Sequence, residues 1–272
     1  MTKVVPEKLQ NFLINKRLAT QLLNITKDNL LNTLFIGKRN SGKKTLINSL
    51  LNNLFEVNVN QFNKIETKDI KIGNNKVSLK YISSPFHYEI NLYEYGLYDK
   101  NMVNEFIKEL TKYTSIKGNY KFIILKNIDK VSKVCQVCLR TVMDKTFNTA
   151  RFIFTAENIN KIEYSFLSRL NIIRVPLPKI KEIEEYVSLY IKDTKYIKKI
   201  INYTENNLFI INNIIKIHIS NTSTIKIDKL FKLFNYCNKI NKKIIKKNIS
   251  SIIEIRAYVY QLILLNIPIN CI

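Results

Sequence analysis

The spacing of apolar and polar positions changes character once along this chain, near residue 177. Before that point, period-2 alternation or short β-rich runs occur at Leu34–Ile36, Val77–Ile82, Phe122–Leu125, Phe152–Thr155 and Asn171–Val175, and stretches of helical period separate most of them. Strands that alternate with helices predict an α/β domain built on a parallel sheet covered on both faces. Pro176 and Pro178 close the pattern, since each disfavours continued helix or strand pairing. From Lys179 onward there are no glycines and no alternating strands. Helix-like segments follow at Glu182–Ile191, Tyr196–Tyr203, Leu208–Ile217, Ile227–Ile245 and Ser250–Leu265, with a polar break at Ser220–Thr224. The expected layout is an α/β domain over 1–176, a helical lid over 177–220 and a further helical part over 221–272, without internal repeats.

The chemistry begins where the first strand ends. Only five glycines occur, and two of them frame Gly37-Lys38-Arg39-Asn40-Ser41-Gly42-Lys43 directly after Leu34-Phe35-Ile36. This is the pattern of a phosphate-binding loop. Its backbone N–H groups can face a phosphate, and the helix that follows, rich in Leu46, Leu50, Leu51 and Leu54, directs its positive dipole end at the same point. Candidate nucleotide-binding residues are therefore Gly37, Asn40, Ser41, Gly42, Lys43, Lys44 and Thr45. The pattern calls for Ser or Thr straight after its lysine, to ligate Mg²⁺, whereas Lys44 stands there and Thr45 comes one residue later. A second motif should supply an acid at the end of an apolar strand. Phe122-Ile123-Ile124-Leu125 is such a strand, but Lys126-Asn127 follows it, and Asp129 reads as the N-cap of the next helix. The loop is thus expected to hold ATP or ADP without tightly held Mg²⁺, and no metal site is expected.

Composition adds a partner and removes other chemistries. The length of 272 residues favours a large domain plus a smaller one, and 46% apolar residues suffice for a core. No window resembles a membrane span, and Met1-Thr2-Lys3 does not open a secretory signal, so a soluble intracellular protein is expected. A net charge of +23 points to a polyanion, nucleic acid first. Only seven of the 44 basic residues are arginine, and the abundance of Lys, Asn and Ile is also what an AT-rich genome produces, so a solvated basic surface is the alternative. Lys239, Lys242, Lys243, Lys246 and Lys247 admit the same two readings. Cys135 and Cys138 lie in a helical run as structural thiols, and with His87 and His218 the only histidines a His-based metal site or triad is not expected.

Several of these residues together resemble the small subunits of replication factor C, the sliding-clamp loader of the AAA+ class. The resemblance runs from about Val5 to Ile272 and is nearest to the subunit type whose loop reads Gly-Lys-Lys-Thr, as at Gly42-Lys43-Lys44-Thr45, and whose own site does not hydrolyse ATP. Ile82-Ser83-Ser84-Pro85-Phe86-His87-Tyr88-Glu89-Ile90, with Gly96 and Asp99, is similar to that type's insert. Gln136, Leu139, Arg140 and Met143 match the helix after the acidic motif, Ser168-Arg169 matches the motif that reaches a neighbour's ATP, and Ser250–Asn270 resembles the opening of the collar domain. Departures fall on the catalytic positions. Lys126-Asn127 replaces Asp-Glu, the sensor asparagine aligns nearest Glu157 and Asn158, the lid arginine falls at Phe209, and the adenine-contacting segment keeps only Pro6.

The resemblance implies a AAA+ fold with a truncated collar over 221–272. It implies a non-catalytic subunit of a hetero-oligomer that loads the sliding clamp (PCNA) onto primed double-stranded DNA, in replication and repair. The nucleus is the expected location, or a viral or organellar replication compartment. Arg169 would act on a neighbouring subunit. Phe86, Tyr88, Tyr93, Tyr95 and Tyr98 are then either a clamp-docking surface or a partly buried cluster. Two other classes stay open: a stand-alone P-loop NTPase or kinase, and a basic protein that binds single-stranded nucleic acid.

Overall fold

The computed structural model describes residues 5–72, 75–112, 120–204, 206–219 and 250–264, and the chain divides into two compact units, Met1–Glu182 and Ile183–Ile272. In the first unit the elements run α1 (Lys16–Leu23), β1 (Thr33–Ile36), α2 (Lys43–Phe55), β2 (Lys64–Ile72), β3 (Asn75–Ser83) and β4 (His87–Ile90). Next, α3 (Asp99–Met102) passes through a π-turn at Val103–Ile107 into α4 (Lys108–Thr111). Then come β5 (Lys121–Leu125), α5 (Lys133–Lys145), β6 (Ala150–Ala156), α6 (Tyr164–Leu167), β7 (Asn171–Arg174) and α7 (Ile180–Ser188), inside which the division falls.

The seven strands form one sheet in the order β2-β3-β4-β5-β6-β1-β7. The stretch from β4 to β7 is parallel, as the alternation of strands and helices predicts. The hairpin β2–β3 is antiparallel, as is β3 with β4, so the sheet is mixed rather than wholly parallel. Most of β2 is exposed (Lys64, Ile65, Glu66, Thr67, Asp69 and Lys71), which is why its sequence carries no clear two-faced alternation.

Successive residues of the central strands feed opposite cores, because side chains alternate across a sheet. Phe35, Phe122, Ile124 and Ile153 pack with Leu46, Leu50 and Leu51 of α2 and Leu22 of α1. Leu34, Ile123, Leu125, Phe152 and Phe154 pack on the other face with Leu139 and Met143 of α5 and with Phe106. All seven residues of β6 are buried. Arg151 among them directs Nε to the Leu30 carbonyl at 2.9 Å and stacks on Tyr120, its guanidinium 3.7 Å from the ring centroid. Ser132 is the N-cap of α5, its hydroxyl accepting from Cys135 N–H at 3.1 Å, and Cys135 and Cys138 both lie on that helix. Burial pushes the Cys135 thiol far above its usual range, which leaves it unreactive.

In the second unit, α8 (Thr194–Thr204) and α9 (Leu208–Ile219) contribute Ile197, Ile200, Ile201, Ile211, Ile214 and Ile215 as buried residues, and α10 (Ser250–Leu264) follows later in the chain. The Tyr186 hydroxyl donates to Asn212 Oδ1 at 2.7 Å. The expected break at 220–224, the helix at 227–245, the lysines from 239 to 247 and the end of the collar-like segment lie outside the described residues.

Candidate functional site

β1 delivers the chain to the loop at its carboxyl end. Gly37 N–H donates to the Ala156 carbonyl at 3.2 Å and Val175 N–H donates to Ile36 at 2.7 Å, so the loop opens between the ends of β6 and β7. A Cβ at Gly37 would stand 2.2 Å from the Val175 carbonyl oxygen, so no larger residue fits. Asn40 and Gly42 adopt left-handed backbone angles, φ 60° and 92°, and turn the chain into α2. Gly42 is the N-cap of α2, and no side chain bonds the first turn, which leaves backbone donors and the helix dipole directed at the loop mouth.

Within the loop, Lys43 Nζ donates to the Gly37 and Lys38 carbonyls at 2.6 and 2.8 Å. Burial draws this ammonium below its ordinary value, against the pull of Glu157 and Asp129. Ser41 is 1% exposed, and its hydroxyl is buried with no partner. An orphaned hydroxyl, an uncapped helix start and a glycine forced by backbone approach fit a bound phosphate, for which each supplies a donor or the room. Thr45 is half-buried one residue further along α2.

The positions where the motifs call for a hydroxyl and an acid carry cations. Lys44 Nζ lies 3.1 Å from Glu89 Oε1, and Lys126 Nζ, at the end of β5, pairs with the same oxygen. Glu89 is 4% exposed on β4. Burial resists its ionisation most strongly, yet Lys126 and Lys44 together hold its carboxyl below the usual range. Motif reasoning gave Glu89 no role beyond its place in the insert-like segment, because the strand His87-Tyr88-Glu89-Ile90 carries no apolar run to mark it as buried.

Asp129 is not a helix N-cap. It is 5% exposed in the 3-10 turn Ile128–Lys130, and its Oδ2 accepts from Glu157 and Asn158 N–H at 3.3 and 3.1 Å. It ties the turn after β5 to the end of β6, while Ser132 caps the helix. Glu157 pairs with Lys130 at 3.7 Å, and Asn158 Oδ1 caps its own turn by accepting from Asn160 N–H at 2.9 Å. Among the described residues, no group of three or more His, Cys, Asp or Glu side chains could hold a metal ion. Pro6 abuts α2, its carbonyl accepting from Ser49 Oγ at 3.1 Å, and Phe209 is an exposed residue of α9.

The aromatic segment divides. Phe86 packs on Phe55 and Phe62, Tyr88 on Tyr81, and Tyr95 and Tyr98 lie against the core, while Tyr93 is 52% exposed.

Arg169 is far from the loop. It precedes β7, whose first residue Asn171 pairs with Thr33 at the start of β1, whereas the loop follows Ile36 at the other end. At about 3.3 Å per residue this separates the two by on the order of 15 Å. Arg169 Nε donates to both Asp144 oxygens at 2.8 and 3.0 Å, and Nη1 donates to the Ser165 carbonyl at 2.8 Å. The pair borders an open cleft of about 540 Å³ lined also by Met143, Phe147 and Asn171.

No family model matches the chain. It is 27% identical to replication factor C subunit 5 of Saccharomyces cerevisiae, over 98% of its own length and 79% of that protein. It is 31% identical to the probable replication factor C subunit 3 of Dictyostelium discoideum over 68% of its length, and 29% identical to a putative replication factor C small subunit of Acanthamoeba polyphaga mimivirus over 76%. The chain spans little more than half of those two proteins, 55% and 58%. Among solved structures, a single-site variant of Thermotoga maritima RuvB superposes with a TM-score of 0.53 at 12% identity, covering 78% of this chain and 64% of that one. That likeness is one of fold alone, and it makes the mixed α/β sheet with its phosphate loop a AAA+ fold. No described helix is long and apolar enough to cross a membrane.

Proposed function

We propose that the chain is a subunit of a replication factor C-like clamp loader, which acts with related subunits to place the sliding clamp on primed DNA during replication. Its similarity to replication factor C subunits from yeast, slime mould and a virus supports this reading. Its own loop, Gly37–Thr45, binds ATP or ADP without turning it over, and Arg169 serves the nucleotide of a neighbouring subunit. The domain layout proposed with it is a nucleotide-binding domain over 1–176, a lid over 177–220 and a collar over 221–272, and the location is the nucleus or a viral or organellar replication compartment.

The observation that carries this reading is the placement of Arg169 at the strand end opposite the phosphate loop. An arginine there cannot reach a phosphate in its own loop, so its catalytic use requires a second chain. Supplied in trans, an arginine stabilises charge developing on a γ-phosphate and is worth about 10³ to 10⁵ in rate. The contact of Arg169 Nε with both Asp144 oxygens is compatible with the same role, because it orders a long side chain at a surface. The lysines at 44 and 126 support a subunit that binds without hydrolysing, since phosphoryl transfer depends on metal charge and a positioned nucleophile.

The test is purification of the chain with its native partners, then reconstitution with Arg169→Ala. Related AAA+ subunits should co-purify. The substitution should leave assembly intact and cut hydrolysis at the one neighbouring site about 10³-fold, so that the DNA-stimulated rate of the complex falls by roughly that site's share. Unchanged hydrolysis would remove Arg169 from the assignment.

A further inference from the structure

The trio of Lys44, Glu89 and Lys126 joins three elements at the mouth of the loop: the first turn of α2, the buried strand β4 and the end of β5. Both ammonium groups converge on one oxygen, Glu89 Oε1, so the two nitrogens lie within two contact distances of each other. A carboxylate only 4% exposed needs compensation, and here it has two partners instead of one. Two ammonium groups on one carboxylate leave one positive charge in excess, held beside a phosphate loop. Lys44 keeps donors free, since its side chain is 60% exposed, and Lys126 is 30% exposed, so both can turn toward a ligand without breaking the buried oxygen's contacts.

The same arrangement opposes a divalent ion. Lys126 stands where the motif calls for a metal-ligating acid, the buried carboxylate beside it, Glu89, is already shared by two ammonium groups, and an ion would sit against both like charges. Asp129, the other buried acid near Lys43, has Oδ2 committed to the Glu157 and Asn158 amides and Oδ1 buried without a hydrogen-bond partner, a single oxygen where a metal needs several.

We propose that Lys44 and Lys126, positioned by Glu89, take the place of the divalent cation at this loop, so that the chain binds polyphosphate nucleotides free of metal. The proposal rests on the reading of Gly37–Thr45 as a nucleotide site, and goes beyond it by assigning the charge that neutralises the phosphates.

A fluorescent ATP analogue titrated into the purified full chain, in excess EDTA and again in excess Mg²⁺, tests it. Affinity in the two conditions should agree within about threefold, and Lys126→Met should weaken binding in EDTA about tenfold. Lys44→Met gives the same readout should Lys126→Met fail to fold. Replacing both cations by the residues a metal site needs, Lys44→Ser with Lys126→Asp, should make binding at least about tenfold tighter with Mg²⁺ than with EDTA. A wild-type chain that loses about tenfold or more in EDTA, or Lys126→Met and Lys44→Met proteins that bind as wild type does, would overturn the proposal and leave the nucleotide site standing. Absence of binding in both conditions, or binding unaffected by Lys43→Ala, would overturn that site and the proposal together.

Discussion

At the scale of single residues, buried ionisable groups set how the protein responds to pH. His87 is 2% exposed on β4, with Nδ1 2.9 Å from the Ser84 hydroxyl and Nε2 buried without a partner. Burial lowers its value from 6.5 to about 4, with Lys44 adding to the effect against the pull of Glu89. A depressed folded value means that the neutral ring's stability is fully present above pH 6.5 and is lost as pH falls toward 4. The loss is on the order of 3 kcal/mol. Urea unfolding at pH 7 and pH 4.5 should show it, and His87→Leu should flatten the difference over that window. Glu89 titrates lower: its contribution is complete above the ordinary carboxyl value of 4.5 and disappears only as pH falls below it. The two groups therefore separate along the pH axis, the histidine acting first.

At the scale of elements, the phosphate loop depends on how closely the strand ends approach. The Val175 carbonyl oxygen would lie 2.2 Å from a Cβ of residue 37, and Val175 is held there by its N–H, which donates to the Ile36 carbonyl at 2.7 Å. Backbone cannot give way as a flexible side chain does. Gly37→Ala should therefore cost about 3 kcal/mol or more, the upper end of overpacking, and should abolish nucleotide binding by displacing the loop. A shifted urea midpoint with unchanged slope would check the first effect and an ATP titration the second. By contrast, α5 depends on its cap: Ser132 holds the helix start, and Asp99 in turn accepts from Ser132 N–H at 2.7 Å and from its hydroxyl at 3.0 Å, locking α3 to α5.

At the scale of the whole molecule, the excess of positive charge sets what the proposed contact with nucleic acid should look like. With a net charge of +23 carried mostly by lysine, phosphate contacts should dominate, and lysine reads phosphate as a point charge. DNA affinity should fall about 10³-fold or more between 50 and 200 mM salt and change little with base sequence. Fluorescence anisotropy on two unrelated duplexes across that range decides it, and a flat salt response would assign the charge to genome composition.

What the sequence determined by itself was local. The strand, glycine loop and leucine-rich helix at 34–54 were legible because a phosphate loop is a contiguous motif whose backbone demands are written into consecutive residues. The helix at Lys133–Lys145 and the strands at 121–125, 150–156 and 171–174 were legible through period and apolar runs. The hairpin β2–β3 was only half legible, since an edge exposed to water imposes little alternation. Tertiary structure alone decided the rest. Residue 89 meets residues 44 and 126, and Asp129 meets the amides at 157 and 158, only because sheet order brings distant strand ends together. A lysine's charge can be read from its letter. Whether it lies free or shares one buried oxygen depends on pairing across the sheet, which no local pattern encodes.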